Sequence, residues 1–145
     1  MTLHEEAVAA LDAKKSAQAR LAAAANCPPW RHGVFALLMG GLVYSPVIPI
    51  PARFGLFALI FVAIGLIIQS DRRRLGMFIN GYRRGKTRLV VFPLLAIELG
   101  FCFWSFTLAE AGDRKTPIIL ALSMIAIGYA GSVLWQRVFV REMGA

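Results

Sequence analysis

Four long apolar runs, separated by polar or proline-rich segments, dominate the hydropathy pattern of the chain. They cover approximately residues 33–48, 54–69, 89–109 and 117–140. The first two are close to the lower limit of roughly 17 residues for a membrane-spanning helix, whereas the last two are long enough. The pattern predicts an all-α fold, an integral membrane four-helix bundle, in which residues 30–145 form the four-pass transmembrane domain.

Residues 1–29, which precede the first run, predict an amphipathic leader helix that is cytoplasmic or interfacial. Thr2 followed by Glu5 fits a capping box, and Asn26 before two prolines marks the end of the helix. The apolar stripe is weak, which leaves three alternatives: the helix lies on the membrane surface, pairs with a copy of itself, or stays solvated. We expect a surface or partner role.

The segment between the first two runs, residues 45–51, contains three prolines. Proline lacks an amide hydrogen and disrupts a regular helix, so this connector predicts a tight, partly extended turn. Small residues four apart also recur in three runs, a spacing that lets membrane helices approach closely. The pairs are Ala36 with Gly40, Ala96 with Gly100, and Ala126 with Ala130.

Composition and charge agree with a membrane location and give it an orientation. The chain of 145 residues is 58% apolar and has a net charge of +8, whereas soluble domains are about 45–50% apolar. Of the 16 lysines and arginines, the leader carries four, the central loop 70–88 seven and the tail two, against three on the other side. The positive-inside rule therefore predicts a cytoplasmic N-terminus, C-terminus and central loop. Because topology explains the basic charge, nucleic acid is not an expected partner.

Glu98 is the most unusual residue, because it lies about nine residues, roughly 14 Å, into the third run. A carboxylate at that depth costs on the order of 2.5–3.5 kcal/mol, so it should face the bundle interior and be protonated or hydrogen-bonded. Tyr129 is the first expected partner, with Ser132 one turn nearer the cytoplasm. Three hypotheses remain open: a proton- or cation-binding site, a neutral acid that fixes helix register, and a contact to another subunit.

The basic central loop is the second candidate site. Its seven charges could hold anionic lipid headgroups or a phosphorylated ligand, besides fixing the topology. Asn80-Gly81 within it predicts a tight turn. The basic residues are Arg72, Arg73, Arg74, Arg83, Arg84, Lys86 and Arg88.

Residues that would indicate an enzyme are scattered along the sequence. His4 and His32 have no second ligand at metal-binding spacing, and Cys27 and Cys102 form neither a metal motif nor a redox motif. No nucleophile has a base near it in sequence. We therefore predict no catalytic residues, no metal and no cofactor.

The layout resembles small four-pass bacterial membrane proteins. The resemblance is carried by the charged helix before Pro29-Trp30 and by the loop motif Arg72-Arg73-Arg74-Leu75-Gly76 with Asn80-Gly81-Tyr82-Arg83-Arg84-Gly85. It covers nearly the whole chain and implies a location in the bacterial cytoplasmic (inner) membrane. It implies no activity and no functional residues.

Taken together, these features favour a non-enzymatic accessory, scaffolding or regulatory subunit. Such a subunit would contact membrane lipid, a membrane protein partner or a second copy of itself through the leader helix and the basic loop. The competing hypothesis is a small oligomeric proton-coupled transporter or channel that uses Glu98.

Overall fold

The computed structural model describes residues 3–24, 28–75 and 85–144, and in these ranges the chain is helical with short turns. The elements are α1 (Leu3–Ala24), α2 (Pro29–Tyr44), a 3₁₀ turn (Ser45–Val47), α3 (Ile50–Leu75), α4 (Arg88–Glu110) and α5 (Thr116–Gly144). Three helical segments are long and apolar enough to cross a bilayer: Ile50–Arg73, Arg88–Glu110 and Thr116–Glu142. The described ranges are thus all-α and contain the helices of a multi-pass membrane protein.

Helix α2 is apolar but shorter than these three segments. Its 16 residues extend about 24 Å at 1.5 Å per residue, less than the ~30 Å of a bilayer core. It starts at Pro29 because proline is favoured at the first helical position, while Pro28 is held in an extended conformation with ψ 143°. It ends where Pro46 and Pro49 follow in the connector.

Helices α2 and α5 form the main packing contact, and they run antiparallel. Along α2 the contacts pass from His32, which bonds Ser132, to Gly40, which packs on Ala121 and Ile125. At Gly40 an added Cβ would overlap the Ile125 side chain and lie 3.0 Å from the Ala121 carbonyl oxygen. The absence of a side chain at Gly40 is therefore what lets the two backbones approach.

A second close approach of α2 and α5 lies at Gly128 of α5. A Cβ there would lie 3.1 Å from the Met39 sulfur and 3.4 Å from the Ala36 Cα. Of the three small-residue pairs in the sequence, Ala36 with Gly40 thus lies in a helix contact. The other four residues, Ala96, Gly100, Ala126 and Ala130, are exposed.

The apolar core lies between α2, α4 and α5. Its buried members are Met39, Val43, Leu120, Ala121 and Met124. Helix α4 faces this core with residues spaced four, three, four and three apart, the spacing of a helix packing face. These residues are Leu94, Glu98, Phe101, Ser105 and Leu108. Glu98 is therefore buried because it occupies a packing position of α4.

Helix α3 is attached to this unit along a narrow strip. Ile60 is buried at 6% exposure and Asp71 at 4%, whereas most of its large apolar side chains are exposed. The exposed ones include Phe54, Leu59, Phe61, Val62 and Leu66. The apolar surface of α3 is thus mostly available to lipid or to another chain.

Residues 45–49 of the predicted connector contain a tight turn and an extended residue, as the prolines predict, whereas Ile50 and Pro51 already belong to α3. The 3₁₀ turn covers Ser45–Val47, and Ile48 is extended with ψ 135° because Pro49 follows it. Arg53, in the first turn of α3, donates hydrogen bonds to the carbonyl oxygens of Pro46 (2.7 Å) and Ile48 (3.1 Å). This arginine therefore satisfies backbone acceptors that the prolines leave without helical partners.

The central loop starts later than predicted. We expected it to cover residues 70–88, but α3 continues to Leu75 and places Arg72 and Arg73 on a helix. Helix propensity favours this continuation, because arginine and leucine are good helix formers. The predicted turn at Asn80-Gly81, the capping residue Thr2 and the stop signal Asn26 lie outside the described residues.

Helix α1 corresponds to the leader. Its side chains from His4 to Ala17 are exposed, including Val8 and Leu11 at 49% and 57%. It contacts α5 and, less extensively, α3. The leader is thus a helix that contacts α5 and α3 while its side chains from His4 to Ala17 remain exposed.

Candidate functional site

A cavity of about 530 Å³ lies between α2, α3, α4 and α5, and we call it the Glu98 cavity. The cavity is partly open, and isoleucines of α3, valines and leucines of α4 and residues of α2 and α5 line it. The lining comprises Arg31, Phe35, Leu38, Met39, Leu42, Ile64, Ile67, Ile68, Val90, Val91, Leu94, Leu95, Glu98, Gly131, Ser132 and Trp135. It is an apolar site with few polar groups, which is typical of small-molecule pockets.

Glu98 is the acidic group of this cavity. Its side chain is on the packing face of α4 and the residue is 6% exposed. One carboxylate oxygen, Oε1, accepts a weak hydrogen bond from the Cys102 thiol at 3.8 Å, whereas the other, Oε2, is buried without a hydrogen-bond partner. A buried oxygen without a hydrogen-bond partner costs free energy. Oε2 therefore lacks the donor that a buried carboxylate oxygen normally has.

The two residues expected to bond Glu98 are engaged elsewhere. The Tyr129 ring packs edge-on against His32, with 6.0 Å between ring centroids, and Tyr129 is 43% exposed. The hydroxyl of Ser132 lies 2.7 Å from Nδ1 of His32. Ser132 does line the Glu98 cavity. The expectation that Tyr129 is the partner of Glu98 is wrong, because α5 turns this ring toward α2 rather than toward α4.

Arg31, which lines the cavity, forms an ion pair with Asp71. The Arg31 guanidinium lies 2.5 Å from the Asp71 carboxylate and joins the first turn of α2 to α3. Asp71 is 4% exposed, so its charge is compensated where it is buried. This is a tie between helices that the sequence reasoning missed, because Asp71 was assigned to the loop.

The described basic residues of the predicted lipid site lie at one end of the bundle, which we call the basic end. Asp71 of α3 bonds α2 near its start, and the Glu142 carboxylate of α5 accepts a hydrogen bond from the Lys86 backbone amide just before α4. These contacts bring the start of α2 and α4 together with the end of α3 and α5. Arg72, Arg73, Lys86 and Arg88 are exposed there. Arg74 belongs to α3 but its side chain, like Arg83 and Arg84, is outside the described structure.

A second concavity at the basic end adds residues that the sequence reasoning did not single out. It has a volume of about 460 Å³ and is lined by Pro29, His32, Val133, Gln136, Arg137, Val140 and Arg141. Arg137 and Arg141 are four residues apart, which places them on one face of α5. The four-residue spacing of these arginines, and so their shared helix face, is visible in the sequence. The basic end therefore extends over α3, α4 and α5.

The opposite end of the bundle carries Asp113 in the turn between α4 and α5. Its carboxylate accepts hydrogen bonds from the hydroxyl and backbone amide of Thr116 and from the backbone amide of Lys115. These bonds, the Thr116 hydroxyl first, lower the pKa of Asp113 below its ordinary value. Asp113 thus caps the start of α5 as a carboxylate.

The contacts of Glu98 and Ser132 differ in how visible they are in the sequence. Cys102 is four residues after Glu98, a spacing that already places both on one helix face. The His32–Ser132 bond joins residues 100 apart, and no pattern in one sequence reveals such a pair. Among the described residues, no three histidine, cysteine, aspartate or glutamate side chains come together as a metal site.

A comparison with models of protein families, with curated proteins and with solved structures found no match for this chain.

Proposed function

We propose that this protein is a four-pass integral membrane protein of the bacterial cytoplasmic membrane with both termini in the cytoplasm, and that it acts as a non-enzymatic accessory, scaffolding or regulatory subunit. In this proposal α2 is the first span. Its deficit in length is compensated by antiparallel packing against α5, because a short helix is accommodated by local bilayer thinning and by contact with a longer neighbour.

The observation that carries the proposal is the basic end. Exposed arginines of α3, α4 and α5 lie there together with Lys86, and α1 contacts α5 and α3. Each basic residue near an anionic membrane surface contributes about 1 kcal/mol of attraction. The basic end is therefore suited to hold anionic lipid headgroups, while the exposed outer surface of α1 faces a protein partner or a second copy.

Retention of lipid tests the first part of the proposal. The triple variant Arg72→Gln, Arg73→Gln and Arg137→Gln removes charge from exposed positions of the basic end. Native mass spectrometry of protein extracted in mild detergent should show loss of bound phosphatidylglycerol relative to wild type. The matched control, Arg114→Gln with Lys115→Gln, removes charge from exposed residues at the opposite end and should retain the lipid. Equal retention in both variants would contradict the proposal.

Truncation tests the second part. Removal of residues 1–24 should dissociate the co-purifying partner, or convert a homo-oligomer to a smaller species, without reducing bound phosphatidylglycerol. An unchanged stoichiometry of the complex, once the mass of the removed residues is subtracted, would count against a role of α1 in assembly.

A small proton-coupled transporter is the second candidate, and the unpartnered Oε2 of buried Glu98 favours it. An acid of this kind inside a membrane bundle is a functional-site hypothesis by default. In proteoliposomes, Glu98→Gln should abolish proton-coupled flux while protein abundance and assembly stay unchanged. If Glu98→Gln instead only lowers stability and no flux is seen in the wild type, the accessory role is the better account.

A further inference from the structure

The Glu98 cavity has the features of a ligand site, with two buried polar atoms that lack partners. Glu98 Oε2 is an acceptor and the indole Nε1 of Trp135 is a donor, and both residues line the cavity. Leu94 packs on Gly131 between them, which places Glu98 and Trp135 about two helical turns apart, roughly 11 Å. A ligand that fills this space is therefore elongated.

The chemistry of the walls restricts the ligand further. Apart from Arg31, Glu98, Ser132 and Trp135, the lining side chains are aliphatic or aromatic without a hydrogen-bonding atom other than the weak acceptor of Met39. The volume of about 530 Å³ is in the range of pockets that hold small organic molecules, about 300–1,000 Å³. The body of the ligand must accordingly be apolar.

The charges decide which polar group the ligand carries. Arg31 is compensated by Asp71 at 2.5 Å, so an anionic headgroup would gain little from it. Among the residues that line the cavity, Arg31 is the one basic side chain, and it is already paired with Asp71. Oε2 of Glu98 has no hydrogen-bond donor. An ammonium group supplies donors together with positive charge, which strengthens the hydrogen bond to a carboxylate.

We propose that the Glu98 cavity binds an elongated hydrophobic amine, with the amine nitrogen donating to Glu98 Oε2 and the apolar chain lying between the isoleucines of α3 and the valines of α4. The inference concerns binding alone and does not rest on the accessory role. Its test uses the cavity, whereas the accessory role is tested at the basic end, so the failure of one is distinguishable from the failure of the other.

Trp135 provides the readout for the experiment. In a background carrying Trp30→Phe and Trp104→Phe, Trp135 is the remaining tryptophan of the three in the chain. The protein is placed in nanodiscs of phosphatidylcholine, a lipid without a primary amine. Quenching of its fluorescence is then titrated with bromine-tagged dodecylamine and with bromine-tagged dodecanol, which has the same chain and no charge.

We expect saturable quenching by the amine, with an affinity at least about tenfold higher than that of the alcohol. The alcohol donates a neutral hydrogen bond to the buried carboxylate, whereas the ammonium group adds the attraction of its charge. Glu98→Gln keeps the shape of the side chain and should weaken amine binding by about ten- to a hundredfold. Glu110→Gln removes an exposed acid of the same helix and should leave the affinity unchanged.

A second variant tests the cavity independently of the acid. Val91→Phe narrows the α4 wall and should abolish saturable quenching by both probes while Glu98 stays in place. If Glu98→Gln does not yield folded protein, the ratio of amine to alcohol affinity in the parent protein decides. Equal affinities for the two probes, or quenching that rises without saturation as expected for partition into lipid, would overturn the proposal.

Discussion

The guanidinium of Arg31 and the carboxylate of Asp71 lie 2.5 Å apart and join the first turn of α2 to the last turns of α3. The pair links α3 to α2 through charged groups, whereas α3 otherwise contributes few buried side chains. Asp71 is buried and the Arg31 side chain is 27% exposed. The contact holds the end of α3 against the start of α2, and residues of both helices line the Glu98 cavity.

Asp71→Asn should therefore destabilise the fold by about 1–3 kcal/mol, between the small value of an exposed ion pair and the large value of a fully buried one. Thermal unfolding in detergent, followed by circular dichroism, measures the change. Arg72→Gln, at the exposed neighbouring position, serves as the control and should have almost no effect. A loss in the control as large as that in Asp71→Asn would show that the ion pair is not the cause.

Gly40→Ala should loosen the α2–α5 contact, because the added methyl group would overlap Ile125 and press on the Ala121 carbonyl oxygen. Overpacking of this kind costs about 1–3 kcal/mol. The matched control is Gly100→Ala, where an added Cβ meets nothing within 4 Å. The control should be neutral or slightly stabilising, since alanine is the better helix former. Equal unfolding temperatures of the two variants would contradict the packing argument.

Ser132→Ala should remove the hydrogen bond partner of His32 at Nδ1, which lies 2.7 Å from the serine hydroxyl. Leaving a buried polar atom unpaired costs about 1–3 kcal/mol, and His32 is 6% exposed. Unfolding in detergent should show this loss, whereas Ser123→Ala on the same helix should not. In the double variant with His32→Ala, the effect of Ser132→Ala should shrink, because the atom that it leaves unpaired is absent. Strictly additive effects would contradict the bond.

The turn at Asp113 should make stability depend on pH in the acidic range. The pKa of Asp113 is lowered in the folded state from its ordinary value of 3.8, by hydrogen bonds from Thr116 and Lys115. A lowered pKa contributes stability that is present above the ordinary pKa and is lost as the pH falls below it. Asp113→Ala should thus be less stable than wild type at neutral pH, and the difference should diminish below a pH of about 4.

Unfolding temperatures measured from pH 7 down to pH 3 test this prediction. Asp113→Asn is the control: it keeps an acceptor oxygen for the turn, but it should lack the change between neutral and acidic pH that the carboxylate contributes. A difference between wild type and Asp113→Ala that stays constant over this range would contradict the assignment.

Much of the helical layout was predictable because apolar runs and prolines are local signals. The three long apolar helices and the turn at 45–51 follow from hydropathy and proline content. The end of α3 was misplaced because arginine was interpreted as loop, although it is a good helix former. A run of positive charge therefore does not by itself mark the end of a helix.

The candidate site was predictable in part. Glu98 stood out as a lone acid in an apolar run, and its burial follows from the packing positions of α4. The identity of its neighbours did not follow, because rotation of α5 about its axis decides whether Tyr129 faces α4 or His32. An error of part of a turn in the expected rotation of α5 therefore places a different residue beside Glu98. The cavity itself depends on how far α3 stands from α4, which no local pattern encodes.

The antiparallel contact between α2 and α5 also has a consequence for biosynthesis. Helix α2 is the first of the apolar helices to leave the ribosome and α5 is the last. Since α2 packs mainly on α5, and is too short to match a bilayer without help, its final position is reached only after α5 has been translated. Truncated nascent chains that lack α5 should consequently leave α2 accessible to chaperones and proteases, and assembly of the bundle is a post-insertion event.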